Sequence, residues 1–322
     1  MSSFPQQVHP VRTPPLKCQG IKTRLVPFIA SQIRWAGRSP GRWVEPFLGS
    51  GVVAFNLAPA RALLADSNPH IIRFYQAIQQ QQITRTTVQH YLHQEGQRLG
   101  AIGADYYYTV RDRFNQTQDP LDFLFLNRAC FNGLMRFNRQ GHFNVPFCRK
   151  PQRFSQRYIT KIANQVQWAA QQIQQHDWEF QIAPWQTTLA QATAADFVYL
   201  DPPYIGRHAD YCTPWEQQDA EALAQAVQTL PCGFAVSMWL HNQYRQNDHI
   251  AACWPQTEQR VQAHFYHVGA KEVWRGAIAE ALLIKPGHAA CLLTEPDFCR
   301  KTDEEAIGLA YGKDENSSHM AT

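Results

Sequence analysis

The residues of this sequence best suited to chemistry are Asp201, Pro202, Pro203 and Tyr204, which follow directly on the apolar run Phe197-Val198-Tyr199-Leu200. Two consecutive prolines fix φ and donate no backbone hydrogens, so the chain leaves such a run in a rigid extended turn with the Pro202 carbonyl available to accept. A carboxylate, an acceptor carbonyl and an aromatic face at one strand tip make a site for a planar, amino-substituted base. A second constellation is Val44-Glu45-Pro46-Phe47-Leu48-Gly49-Ser50-Gly51, an apolar run entering a Gly-x-Gly turn. Glycines there let the backbone bend tightly and approach a ligand. Asp66 closes the next apolar run 15 residues after Gly51, where a carboxylate accepts hydrogen bonds from a ribose diol. The pair of constellations predicts a nucleoside-bearing cofactor beside the amine.

Such residues need a sheet to carry them. The runs at 43–47, 62–65, 197–200 and 233–237 each precede a turn signal and a helical pattern, as strands of a buried, largely parallel sheet do. Thr213, Pro214 and Glu216 offer a cap, a first-turn proline and a capping-box partner for a helix whose apolar stripe is Ala220, Leu223, Ala224, Val227 and Leu230. An α/β fold follows. The 130 residues between Asp66 and Phe197 are mostly helical in pattern, too many for one crossover, and predict an inserted domain. The expected organisation is an irregular arm over 1–15, a catalytic domain over 16–69 and 178–290, an inserted domain over 70–177 and a polar tail over 300–322.

Composition excludes several classes. The chain has 322 residues, 44% hydrophobic and 17% charged, enough for a large core and unlike a disordered protein. No stretch approaches the roughly 18 apolar residues of a membrane span, and residues 1–15 lack a signal-peptide core, so a soluble cytoplasmic protein is expected. The eight cysteines form no C-x-x-C pair and read as reduced thiols. The histidines, among them His241, His264 and His267, lack metal-ligand spacing, and no metal is expected. A net charge of +4 permits nucleic-acid binding without requiring it.

The sequence resembles the Dam-type, D12 class adenine-N6 DNA methyltransferases. The resemblance runs from about residue 16 to 286 and rests on Leu16-Lys17-Cys18-Gln19-Gly20-Ile21-Lys22, the Glu45 to Gly51 loop, Leu64-Ala65-Asp66-Ser67-Asn68, the segment Phe125-Leu126-Asn127-Arg128-Ala129-Cys130-Phe131-Asn132-Gly133-Leu134-Met135-Arg136-Phe137-Asn138, then Gly141-His142-Phe143-Asn144-Val145-Pro146-Phe147 and Asp201-Pro202-Pro203-Tyr204. Their order, cofactor loop before recognition domain before catalytic motif, matches the α group of amino-methyltransferases. The first motif departs from the family, with Cys18 where a Trp is usual and Gly20-Ile21 where a Gly-Gly pair is usual.

The resemblance implies a Rossmann-like methyltransferase sheet with helices on both faces and an inserted, mainly helical target-recognition domain carrying a β-hairpin. It implies S-adenosyl-L-methionine at Cys18, Glu45, Phe47, Gly49, Gly51 and Asp201, with Asp66 on its ribose and Lys22 near its methionine end. Tyr204 would stack on an adenine flipped out of double-stranded DNA, while Asp201 and the Pro202 carbonyl accept from N6. Residues 131–147 resemble the recognition hairpin. Its turn is Asn138-Arg139-Gln140-Gly141, and Phe131, Leu134, Arg136 and Pro146 match DNA-facing positions. Asn127, Asn132, Asn138 and Asn144 join them as DNA-binding candidates, and Arg128, Arg139, Arg149, Lys150, Arg153 and Arg157 are candidate phosphate contacts. Any of Phe131, Phe137, Phe143 and Phe147 can equally be core. A monomer is expected, with a cognate restriction endonuclease possible but no complex with it required. Two alternatives stay open: a methyltransferase acting on RNA adenine or protein glutamine, whose relatives more often carry Asn at the position of Asp201, and a catalytically silent DNA-binding module.

Overall fold

Strands that bury both faces between helical layers read as unbroken apolar runs, and each such run of this sequence lies in one sheet. In the computed structural model, which describes residues 4–204, 215–241, 246–265 and 277–291, the strands are β1 (Trp43–Glu45), β2 (Arg61–Asp66), β3 (Asp177–Ile182), β4 (Phe197–Leu200), β5 (Gly233–His241), β6 (Glu258–Phe265) and β7 (Ala277–Ile284). Their order is β3-β2-β1-β4-β5-β7-β6. The first five pair in parallel, and β7 runs antiparallel to both β5 and β6. The chain builds outward from β1 to β3 and then returns to the other side of β1 with β4. That reversal leaves a crevice at the carboxyl ends of β1 and β4, the place where ligands settle in such sheets.

Alternation along the strands divides the core in two. Trp43, Leu64, Phe197 and Tyr199 face one apolar cluster, while Val44, Leu63, Val198 and Leu200 face the other. The described helices are α1 (Val26–Gln32), α2 (Val52–Leu57), α3 (Pro69–Gln79), α4 (Arg85–Ile102), α5 (Ala104–Thr117), α6 (Pro120–Ala129), α7 (Gln156–Gln175), α8 (Trp185–Leu189), α9 (Gln217–Gln228) and α10 (Asp248–Cys253). Helices α1 to α7 contribute to the first cluster, and α9 packs Leu223, Ala224 and Val227 into the second. Helices therefore cover both faces of the sheet. Residues 70–177 share a core with the sheet, and contacts group Met1–Ala290 as one compact unit. Arg113 of α5 ties α4 to α6 by bonding the buried carboxylates of Glu95 (2.9 Å) and Asp122 (Nε to Oδ2, 2.8 Å).

Several expectations change in detail. Residues 4–15 lack regular structure as predicted, yet they are packed: Phe4 is buried and its ring lies parallel to Trp43 at 5.4 Å. Thr213 and Pro214 lie outside the described residues. Within them, α9 starts at Gln217, and the Glu216 backbone N–H donates to Asp219 Oδ2 (2.9 Å). Strands β3 and β6 had no apolar run to announce them, and Glu280 breaks the run of β7. The expected tail over 300–322, Cys212, Cys299 and His267 also lie outside the described residues. Among the described residues no helix is long and apolar enough to cross a membrane.

Candidate active site

Glycine at 49 and 51 is required by the path of the chain out of β1. Both take positive φ (52° and 71°), and a Cβ on Gly51 would stand 2.7 Å from the Phe55 ring. Gly51 thus lets the turn pack closely on Phe55 and Leu48, while Gly49 lines the crevice itself. The crevice opens into a cleft of about 1100 Å³ including its mouth, lined by Cys18, Lys22, Glu45, Phe47, Gly49, Asn68, Tyr199 and Asp201 to Tyr204 among others. Asp66 supports this turn: its Oδ2 accepts from the Gly49 N–H (2.9 Å) and its Oδ1 from the Asn68 N–H (2.8 Å). Burial raises the Asp66 carboxyl to about 6 against those hydrogen bonds. Both oxygens serve the loop, and Asn68, not singled out in the sequence, lines the cleft beside it.

Glu45 lines the cleft from β1, and its Oε1 accepts from Trp43 Nε1 at 2.7 Å. Desolvation pushes this carboxyl up to about 8, so at neutral pH it carries a proton. Burial likewise pushes the Cys18 thiol up to about 12. As a neutral thiol 3.4 Å from the Cβ position of Gly49, Cys18 packs against the turn.

The second constellation converges on the same cleft because β1 and β4 are neighbours, with Trp43 beside Phe197 and Val44 beside Val198. Asp201 Oδ1 meets Lys22 Nζ at 2.9 Å, and its side chain is 25% exposed. Burial raises its pKa, while Lys22 opposes the rise. Lys22 Nζ also donates to the Tyr204 hydroxyl (2.8 Å) and the Gly20 carbonyl (3.3 Å). The Tyr204 hydroxyl in turn donates to Glu280 Oε2 at 2.9 Å. Glu280 is buried in the middle of β7 and was missed in the sequence; a glutamate among Ala279, Ala281 and Leu282 was the available signal, since carboxylates are buried only with partners.

The segment from residue 130 to 148 forms a hairpin held by two isolated bridges, Cys130 with Phe147 and Phe137 with Phe143, without continuous strands. Side chains alternate about it: Met135, Phe137, Phe143, Val145 and Phe147 are buried, while Arg136, Arg139 and Pro146 are exposed. Phe131 is 49% exposed and so is not core. Asn138 Oδ1 closes the turn by accepting from the Gln140 and His142 N–H groups. Arg136 Nε donates across the hairpin to Asn144 Oδ1 at 2.8 Å. Asn132, Arg149, Lys150 and Arg157 are exposed and Leu134 and Arg153 half-buried, with Arg153 donating to the Arg128 carbonyl (2.9 Å). Two candidates sit elsewhere. Asn127 is buried and exchanges hydrogen bonds with the Lys17 backbone. Arg128 is buried and donates to the Pro15 carbonyl and Gln165. Burial takes a phosphate contact away from Arg128, and both residues instead tie the segment leading to Lys22 onto α6.

Comparison with known proteins agrees with this geometry. A family model described as D12 class N6 adenine-specific DNA methyltransferase matches residues 19–272. A DNA adenine methylase of Vibrio cholerae serotype O1 is 36% identical over 169 residues, covering 50% of this chain and 55% of that protein. The DNA adenine methylase of Escherichia coli K12 is similar to the same extent. The retron Ec67 DNA adenine methylase of Escherichia coli is 33% identical over 214 residues, 63% of this chain and 68% of that protein. The chain thus spans about half the length of the first two relatives and two thirds of the third.

Proposed function

The chain belongs to the D12 class N6 adenine-specific DNA methyltransferases, and from that premise we propose that it transfers a methyl group from S-adenosyl-L-methionine to N6 of an adenine flipped out of duplex DNA. The observation that carries the proposal is the meeting of the Glu45 to Gly51 turn and the Asp201 to Tyr204 motif in one cleft at the β1/β4 reversal. The residues fit such a cofactor. Gly49, without a side chain, leaves room for close approach, Asn68 and Glu45 offer polar groups, and aromatic and acidic walls suit a cationic sulfur. When bound, the cofactor supplies an electrophilic methyl group on sulfonium.

The remaining work falls to the protein. Adenine N6 is a weak nucleophile because its lone pair is delocalised into the ring. Asp201 and the Pro202 carbonyl accept its two hydrogens and draw them out of conjugation, while the face of Tyr204 holds the base. Lys22, in contact with Oδ1, favours the ionised form of Asp201 against its burial, and in that form Asp201 accepts and takes up the proton N6 sheds. Catalysis of this kind is positioning and electrostatics, with no covalent intermediate on the enzyme.

The test is to incubate the purified chain with duplex DNA and methyl-labelled S-adenosylmethionine, digest to nucleosides, and sequence the modified positions. Label in N6-methyldeoxyadenosine at one short site is expected. Label confined to RNA or protein would support the other acceptor classes, and cofactor binding without any transfer would leave a silent DNA-binding module.

A further inference from the structure

We propose that Glu280 is a positioning residue for methyl transfer, holding the Tyr204 ring by its hydroxyl and through it the Lys22–Asp201 pair. This rests on the reading of the cleft as a methyl-transfer site. Glu280 occupies a strand whose neighbours Ala281, Leu282, Leu283 and Ile284 are core, and it is itself 2% exposed. A carboxylate in such a place is retained only where its contacts offset desolvation. One contact it makes is functional in location: Tyr204, at the wall of the cleft, donates to Oε2.

The donor and acceptor roles in this line are fixed by chemistry. An ammonium has no lone pair, so Lys22 Nζ can only donate to Tyr204. The single phenolic hydrogen is then directed to Glu280, which must be an acceptor. At the other end, Lys22 Nζ contacts Asp201 Oδ1. Residues from the segment before α1, the loop after β4 and the middle of β7 thus set one another. Two directed bonds at the hydroxyl fix the ring plane on which a base stacks, and ordering that precedes substrate binding lowers the barrier of a reaction limited by orientation.

The experiment is a double-mutant cycle on the full chain with Glu280→Gln and Tyr204→Phe. The measured quantities are kcat and KM for a DNA substrate at saturating cofactor, and cofactor affinity by calorimetry. Glu280→Gln is expected to lower kcat at least tenfold with KM and cofactor affinity changed less than twofold. In the Tyr204→Phe background the same change should cost less than threefold, because the hydroxyl through which it acts is gone. Equal losses in both backgrounds, or a parallel loss of cofactor affinity, would assign Glu280 to strand packing and overturn the proposal. Should Glu280→Gln not fold, Glu280→Asp carries the same cycle with the charge kept and the carboxylate withdrawn by one methylene. Absence of any adenine methylation by the unaltered chain would refute the reading of the cleft and not this contact. The contact is then read from tyrosine labelled at Cζ, where the Tyr204 signal, assigned by its loss in Tyr204→Phe, must shift in the Glu280 variant; an unmoved signal overturns the proposal.

Discussion

Asp201 must be charged to do what is asked of it, yet its surroundings oppose charge. Desolvation and the Glu280 carboxylate raise its pKa while Lys22 lowers it. Cys18, Glu45 and Tyr199 also face it. Asp201→Asn keeps the shape and one acceptor but removes the charge, so single-turnover methylation should fall by about 10² to 10³, the range for loss of one preorganised electrostatic contact. Thermal stability and DNA affinity should stay near those of the parent; an unchanged rate would remove Asp201 from the mechanism. Because the ionised form accepts, the rate should rise with pH through an acid limb lying above the ordinary aspartate range. Glu45 gives an independent reading of the same burial. Its folded-state value near 8 exceeds the ordinary glutamate value of 4.5, so between those values the unfolded chain releases a proton that the folded chain keeps. Stability should therefore fall as pH rises from about 4.5 to about 8 and level off above, by analogy with other linked ionisations. Glu45→Gln, titrated with denaturant across that window without added cofactor, should lack this component; parallel curves for both proteins would show that Glu45 is charged at neutral pH.

At the level of elements, the hairpin separates readout from simple attraction. Arg136 projects from the exposed face and is held across the hairpin by Asn144, the kind of support that fixes a guanidinium for a base edge. Lys150 is exposed beyond the hairpin. Arg136→Ala should cost about 1 to 3 kcal/mol of discrimination at one base pair, while Lys150→Ala should weaken all sequences and reduce the salt slope by about one unit. Methylation rates on every single-base variant of the site decide it, since a uniform loss for Arg136→Ala would make it a backbone contact. This hairpin also shows what the sequence could reveal. The resemblance placed Arg136 among outward-facing positions, but nothing in four phenylalanines told Phe131, which is exposed, from Phe137, Phe143 and Phe147, which pack inside. Strands β1, β2, β4 and β5 were legible because both their faces are buried and their residues are apolar. Edge strand β3 alternates Trp178 and Phe180 with exposed Asp177 and Glu179, and β7 interrupts its apolar run with Glu280, so neither matched a buried strand. The cleft motifs were legible because their residues are close in sequence. The Tyr204–Glu280 contact was not, because it is made between segments 76 residues apart.

For the whole molecule, the decisive relation is between the hairpin and the cleft. Met135 lines the cleft, while its neighbour Arg136 is exposed on the hairpin's outer face. On the proposed function, a duplex held at the hairpin would approach the cleft from outside, whereas Asp201 has only a quarter of its side chain exposed. The proposed transfer would then call for extrusion of the nucleotide, as in other enzymes that modify a base of duplex DNA. The net charge of +4 favours approach to DNA but cannot pay for unstacking, and that cost must be met by contacts inside the cleft. Stacking of a base on an aromatic ring contributes roughly 1 to 3 kcal/mol in single-strand binders, which makes Tyr204 the principal holder of the extruded base. With 2-aminopurine in place of the target adenine, binding should raise fluorescence as the base leaves its neighbours. Tyr204→Ala should reduce the fraction captured by about 5-fold or more, since 1.4 kcal/mol corresponds to about tenfold. Arg136→Ala, by contrast, should weaken binding to the site while leaving the signal per bound complex intact. The same 2-aminopurine duplex with the probe moved one step from the methylated position supplies the comparison. An equal rise at both positions would reflect general distortion of the duplex, and no rise at the target would mean that the adenine is reached without leaving the helix.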